Sequence, residues 1–120
     1  MRIISKILLL YMALFVGCYH DKEEELVPCT ADTSHVHYAP EVTSVFTSYG
    51  CYGCHVGTAP EGGISLEGYT AVKKLVDNGR LLGAISHAPG FAPMPHGAPK
   101  MSECDINIIK AWVNAGAPDR

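Results

Sequence analysis

Five consecutive residues, Cys51-Tyr52-Gly53-Cys54-His55, constrain this chain more than any other part of it. In a helical turn, side chains three residues apart stand on one face, so the thiols of Cys51 and Cys54 point the same way. His55 follows at the fourth position from Cys51, on the same side. A chain with this sequence must fold so that two thiols and one imidazole share a single space.

The chemistry that uses this order is narrow. Two thiols add to the two vinyl groups of haem, and the adjacent imidazole coordinates the iron. Cys-x-x-Cys-His is the c-type haem attachment sequence. Two other uses of Cys-x-x-Cys stand beside it. A thioredoxin-like dithiol sits in a strand–helix unit of a βαβ fold, and nothing here reads as parallel strands. A structural zinc site needs further ligands, usually a second Cys/His pair at short spacing. Here His35 and His37 lie upstream and Cys104 lies far downstream, an irregular set. The pentapeptide occurs once and the chain has no internal repeat, so one covalent haem c is expected, with His55 on its iron.

The N-terminus reads as an export signal. Arg2 and Lys6 precede an unbroken apolar run from Ile7 to Val16. A bilayer span needs about 20 apolar residues, so this run has the size of a signal-peptide core. The segment ends Phe15-Val16-Gly17-Cys18. Small Gly17 before Cys18 resembles a bacterial lipobox, in which the Cys is lipidated and becomes the first mature residue. Phe15 departs from the usual Leu. An ordinary cleaved signal and an uncleaved anchor are the other readings.

Export accounts for the cysteines. There are five, Cys18, Cys29, Cys51, Cys54 and Cys104. One is assigned to lipid and two to haem, which leaves Cys29 and Cys104. Disulfides persist outside the cytoplasm, so a Cys29–Cys104 bond is the economical assignment, with two free thiols as the alternative. Closing so long a loop is worth about 4–5 kcal/mol by chain entropy.

The chain divides into a signal at 1–17, an acylated, charged tether at 18–38, and a single domain at 39–120. Tyr19-His20-Asp21-Lys22-Glu23-Glu24-Glu25 is a solvated run. It resembles the acidic runs after the lipid Cys of surface-displayed lipoproteins, which implies an outer-membrane position facing the periplasm or cell surface. From Ala39 onward Lys and Arg nearly cancel Asp and Glu, and no basic cluster marks a nucleic-acid face. Lys73-Lys74, Arg80 and Lys100 offer at most a weak docking rim.

The domain reads as all-α. Pro40 opens a helix, where its missing N–H costs nothing. Val42, Val45, Phe46 and Tyr49 recur at helical spacing, and Gly50 ends the element just before Cys51. Tyr69 to Asn78 forms a second helix with Val72, Leu75 and Val76 on one face, and Gly79 stops it. Arg80 to Ser86 is a short helical piece, and Pro89 to Pro99 is an extended loop. Ser102 caps a final helix with Asp105 three residues on. Ile106, Ile109 and Val113 mark its stripe, Trp112 lies alongside, and Gly116 and Pro118 end it.

A soft thioether as sixth ligand gives an iron that exchanges electrons without binding substrate. Met94 lies in Ala92-Pro93-Met94-Pro95, where flanking prolines stiffen the loop. Met101 precedes the helix cap, where an apolar residue more often staples the helix. His87 and His96 are histidine alternatives. Their other role is hydrogen bonding near the haem edge. No function is read for His35 and His37.

These features together make the chain similar to small monohaem cytochrome c lipoproteins with the class I cytochrome c fold, helices and loops wrapped around one haem. The resemblance covers about Tyr38 to Asp119. It rests on the helix ending at Cys51, the Cys-x-x-Cys-His, the Pro-Met-Pro loop and the tail Ile109 to Ala117. It implies thioethers at Cys51 and Cys54, axial ligation by His55 and Met94, and packing of the first helix on the last. It also makes Arg80 and Trp112 candidate neighbours of the haem propionates. Where such proteins often read Met-Pro-Pro, this chain has Met94-Pro95-His96-Gly97-Ala98.

The function implied is electron transfer by a monomeric carrier anchored to a membrane by lipid, with redox proteins docking at the haem edge. The chain shows no evident catalytic acid, nucleophile or substrate pocket, so enzyme activity is not expected. A haem sensor or peroxidase-like enzyme would need a labile sixth ligand. A dedicated electron-transfer subunit of a membrane redox complex, and a haem-free thiol protein, are the remaining readings.

Overall fold

The computed structural model describes residues 29–120. The signal at 1–17, the lipidation candidate Cys18 and the charged run that follows lie outside the described residues. Among the described residues every regular element is helical. No helix there is long and apolar enough to cross a membrane.

The first helical stretch takes up helical dihedrals from Pro40, as the sequence predicts. Ala39 is extended, with φ −121° and ψ 133°, because the proline ring crowds the preceding residue out of the α region. The chain makes a π turn over Tyr38–Val42 and then enters α1 at Thr43–Ser48. Val42, Val45 and Phe46 are buried, as their spacing predicts. Gly50 follows with φ +65°, a left-handed conformation that glycine adopts without strain. It turns the chain into a 3-10 turn at Cys51–Gly53.

Helix α2 spans Tyr69–Asp77 and α3 spans Arg80–Ile85. Gly79 between them has φ +73°, and the two helices pack on each other. Val72 and Leu75 from α2 and Leu81 and Ile85 from α3 enter the core.

Helix α4, Glu103–Asn114, begins where the sequence predicts. Ser102 Oγ accepts the Asp105 N–H at 3.1 Å and donates to the Asp105 carboxylate at 2.6 Å. Such a cap is worth about 1 kcal/mol. The buried stripe is Ile106, Ile109 and Trp112, with Val113 only half-buried. Helix α4 packs on the π turn and on α3.

Trp112 is fully buried near the middle of this packing. Its indole lies against Tyr38 with ring centroids 5.8 Å apart, and Tyr38 meets Tyr69 edge-on at 5.6 Å. A buried indole N–H needs an acceptor. It donates to the Pro118 carbonyl at 2.8 Å, while the Tyr69 hydroxyl donates to the Ala117 carbonyl at 2.8 Å. The residues after α4 are thereby folded back over the core.

Cys29 and Cys104 form a disulfide, with Cα atoms 5.2 Å apart across a sequence separation of 75. It ties the upstream extension to the first turn of α4. Val36 and Tyr38 are buried in the same core as Trp112. The last residues of the extension are therefore packed, and the core begins upstream of Ala39.

Candidate functional site

The 3-10 turn sets the geometry of the Cys-x-x-Cys-His segment. Side chains at i and i+3 eclipse in a 3-10 helix, so Cys51 and Cys54 share a side. The Cys54 and His55 N–H groups both donate to the Cys51 carbonyl, at 3.3 and 3.1 Å. Both thiols are free.

A loop then folds back to grip His55. Glu61 N–H donates to the Cys54 carbonyl at 2.9 Å, and Leu66 N–H donates to the His55 carbonyl at 2.7 Å. Between them Gly62 and Gly63 have φ +61° and +68°. Two left-handed residues in succession turn the chain so that Ile64 faces the imidazole. His55 Nδ1 lies 3.0 Å from the Ile64 carbonyl. A carbonyl can only accept, so the proton sits on Nδ1 and the Nε2 lone pair is left free. This is the arrangement that orients a histidine ligand from behind.

These residues open onto a cavity of about 810 Å3. That lies within the roughly 300–1,000 Å3 of small-molecule and cofactor sites. Phe46, Leu75, Leu81 and Ile85 supply apolar wall. Cys51, Cys54, His55 and Met94 all line it, brought there from the 3-10 turn and from the loop after α3.

The alternative iron ligands separate here. Met101 and His96 also line the cavity, whereas His87 is not among its lining residues. Met101 is only 2% exposed and belongs to the hydrophobic core cluster, as a residue stapling α4 should. His87 is engaged elsewhere: its Nε2 donates to the Met94 carbonyl at 3.1 Å. Arg80 reaches the cavity rim, but Trp112 does not line the cavity, and its N–H is held by Pro118. Indole needs to satisfy its N–H inside the core, and the folded-back tail does so.

Phe91 is 40% exposed and forms part of the cavity wall. Its ring rests on Gly83 of α3, where an added Cβ would lie 2.5 Å from the ring. Lys73 is paired with Asp77 and Lys100 with Glu103. Each lysine of the weak basic rim that is paired in this way has its charge offset by a neighbour.

The two other uses of the pentapeptide fare poorly. Burial pushes the Cys51 thiol above its ordinary value, whereas a redox dithiol needs a depressed one. Cys104 is spent in the disulfide, and among the described residues no three His, Cys, Asp or Glu side chains converge on a metal-sized point. What the cavity offers is two free thiols, an imidazole lone pair and a thioether on apolar walls. That donor set fits a flat, mostly apolar macrocycle with a metal at its centre.

Sequence reasoning did not find the Ile64 contact to His55 or the His87 contact to Met94. The paired glycines at 62 and 63 were the available signal for the first. The second had none, because no spacing rule joins a histidine to a carbonyl in a proline-rich loop. The chain matches no family model, no curated protein and no solved structure.

Proposed function

We propose that this chain is a monohaem c-type cytochrome of class I that carries single electrons at a membrane. The observation that carries the reading is the shared cavity: Cys51, Cys54, His55 and Met94 line one apolar space of about 810 Å3. When bound, haem would supply a one-electron ferric–ferrous couple.

The residues divide the remaining work. Cys51 and Cys54 anchor the macrocycle through thioethers. His55 presents its Nε2, held in that tautomer by Ile64. Met94 supplies the soft ligand on a loop stiffened by Pro93 and Pro95. The apolar walls limit water around the metal, which favours the less charged state and narrows reorganisation. Redox proteins would dock transiently at the exposed edge of the cavity. Lipid at Cys18 would hold the carrier at an outer membrane facing the periplasm or cell surface, with the segment up to the disulfide at Cys29 as its reach.

Voltammetry of the protein, produced with a cytochrome c maturation system, tests this reading. A reversible one-electron wave, unaffected by added peroxide or carbon monoxide, is the expected result. A catalytic current with peroxide, or a wave displaced by carbon monoxide, would favour the sensor or peroxidase-like alternative. No wave at all would exclude electron transfer.

A further inference from the structure

We propose that His87 is the positioning residue that holds Met94 at the cavity, an inference that rests on the electron-transfer reading above. Pro93 and Pro95 have no N–H, so Met94 N–H is the only backbone donor of that three-residue segment. It donates to the Ala84 carbonyl at 3.0 Å. The Met94 carbonyl accepts from His87 Nε2 at 3.1 Å. Both backbone polar groups of Met94 are thus gripped by α3 and the turn that ends it.

The surrounding loop offers little else. Phe91, Ala92, Pro93, His96 and Gly97 are exposed. The remaining ties in this stretch are Phe91 N–H to the Ala88 carbonyl at 3.2 Å, Ala98 N–H to the Pro95 carbonyl at 3.4 Å, and the Phe91 ring resting on Gly83, none of which touches Met94. His87 is the one side chain that hydrogen-bonds to Met94 among the described residues. Without it, Met94 would be left with one backbone bond to the rest of the fold.

The backbone of His87 points the same way. Its φ is +54°, in the left-handed region where a β-carbon is disfavoured and glycine sits freely. A turn needing only that conformation would be better served by glycine. The imidazole is what glycine lacks, and it is spent on the Met94 carbonyl. His87 does not itself line the cavity, so it acts through Met94 and not as a ligand.

A sulfur ligand competes with ligands from solution each time its loop opens. Loop opening is a local unfolding event whose frequency depends on the bonds that must break. His87→Gly removes the grip and relieves the backbone. In the matured ferric protein it should raise the rate of imidazole uptake by about tenfold or more. It should also lower the temperature at which the red methionine-to-iron charge-transfer band is lost. Helix content and covalent haem should stay as in the native protein. His87→Gln, which restores an N–H donor of similar reach, should bring the uptake rate back towards native.

A purely structural role for the turn predicts the opposite sign. His87→Gly would then unfold at the same or a higher temperature, with imidazole uptake and the red band unchanged, and that result would overturn the proposal. A native protein that lacks the red band altogether would overturn methionine ligation itself, and the positioning role with it.

Discussion

The Tyr49 hydroxyl donates to the Asp105 carboxylate at 2.8 Å and accepts the Ser102 N–H at 3.0 Å. One phenol therefore joins the residue that ends the first helical stretch to the cap of α4. Tyr49 stands two residues before Cys51 and itself lines the cavity. The contact couples the start of the Cys-x-x-Cys-His turn to the helix that carries the disulfide.

Tyr49→Phe should therefore cost about 1–2 kcal/mol, the range for a hydrogen bond to a charged but partly solvated group. Urea unfolding of Tyr49→Phe, Asp105→Ala and the double variant checks it. The two losses should be less than additive, because both remove the same bond. Full additivity would mean that the phenol and carboxylate act independently.

The Cys29–Cys104 bond should be worth about 4 kcal/mol through restriction of the unfolded chain. The pair Cys29→Ser and Cys104→Ser, compared with the native protein by urea denaturation, gives that number. Val36 and Tyr38 should also lose protection in hydrogen exchange, since the bond fixes the upstream end of the segment that buries them. Unchanged exchange at those two residues would show that burial alone holds the segment.

Burial pushes the Tyr38 phenol up to about 12, with the Tyr52 ring beside it as a lesser cause. In the unfolded chain the same phenol titrates at about 10. Between those values the unfolded state has released its proton and the folded state has not. Stability is thus fully present below about pH 10 and falls as pH rises towards about 12. Tyr38→Phe should show a shallower decline across that window in urea unfolding. An identical decline would assign the alkaline loss to other groups.

Much of the fold was legible because local rules coincide with packing. Ser102 and Asp105 cap α4 as read, Gly50 and Gly79 end their elements, and Val42, Val45 and Phe46 are buried. Two details go beyond the local rules. Helical dihedrals begin at Pro40, with Ala39 extended ahead of it, but the first hydrogen bonds close a π turn and not an α turn. Trp112, read as lying beside the α4 stripe, is fully buried, while Val113 of that stripe is half-buried against the same core. The cavity's four thiol, imidazole and thioether residues were named from sequence alone. The hydrogen bonds that hold them, Ile64 to His55 and His87 to Met94, join segments whose separation no periodicity encodes.

The central claim is that Cys51, Cys54, His55 and Met94 hold one haem. An optical spectrum of the mature protein, made with a cytochrome c maturation system and recorded oxidised and then reduced, tests it most directly. A sharp low-spin c-type spectrum with a weak red band in the oxidised form is the predicted result, and Met94→Ala should abolish that band while haem stays attached. A protein that emerges from maturation with no Soret absorption would contradict the account.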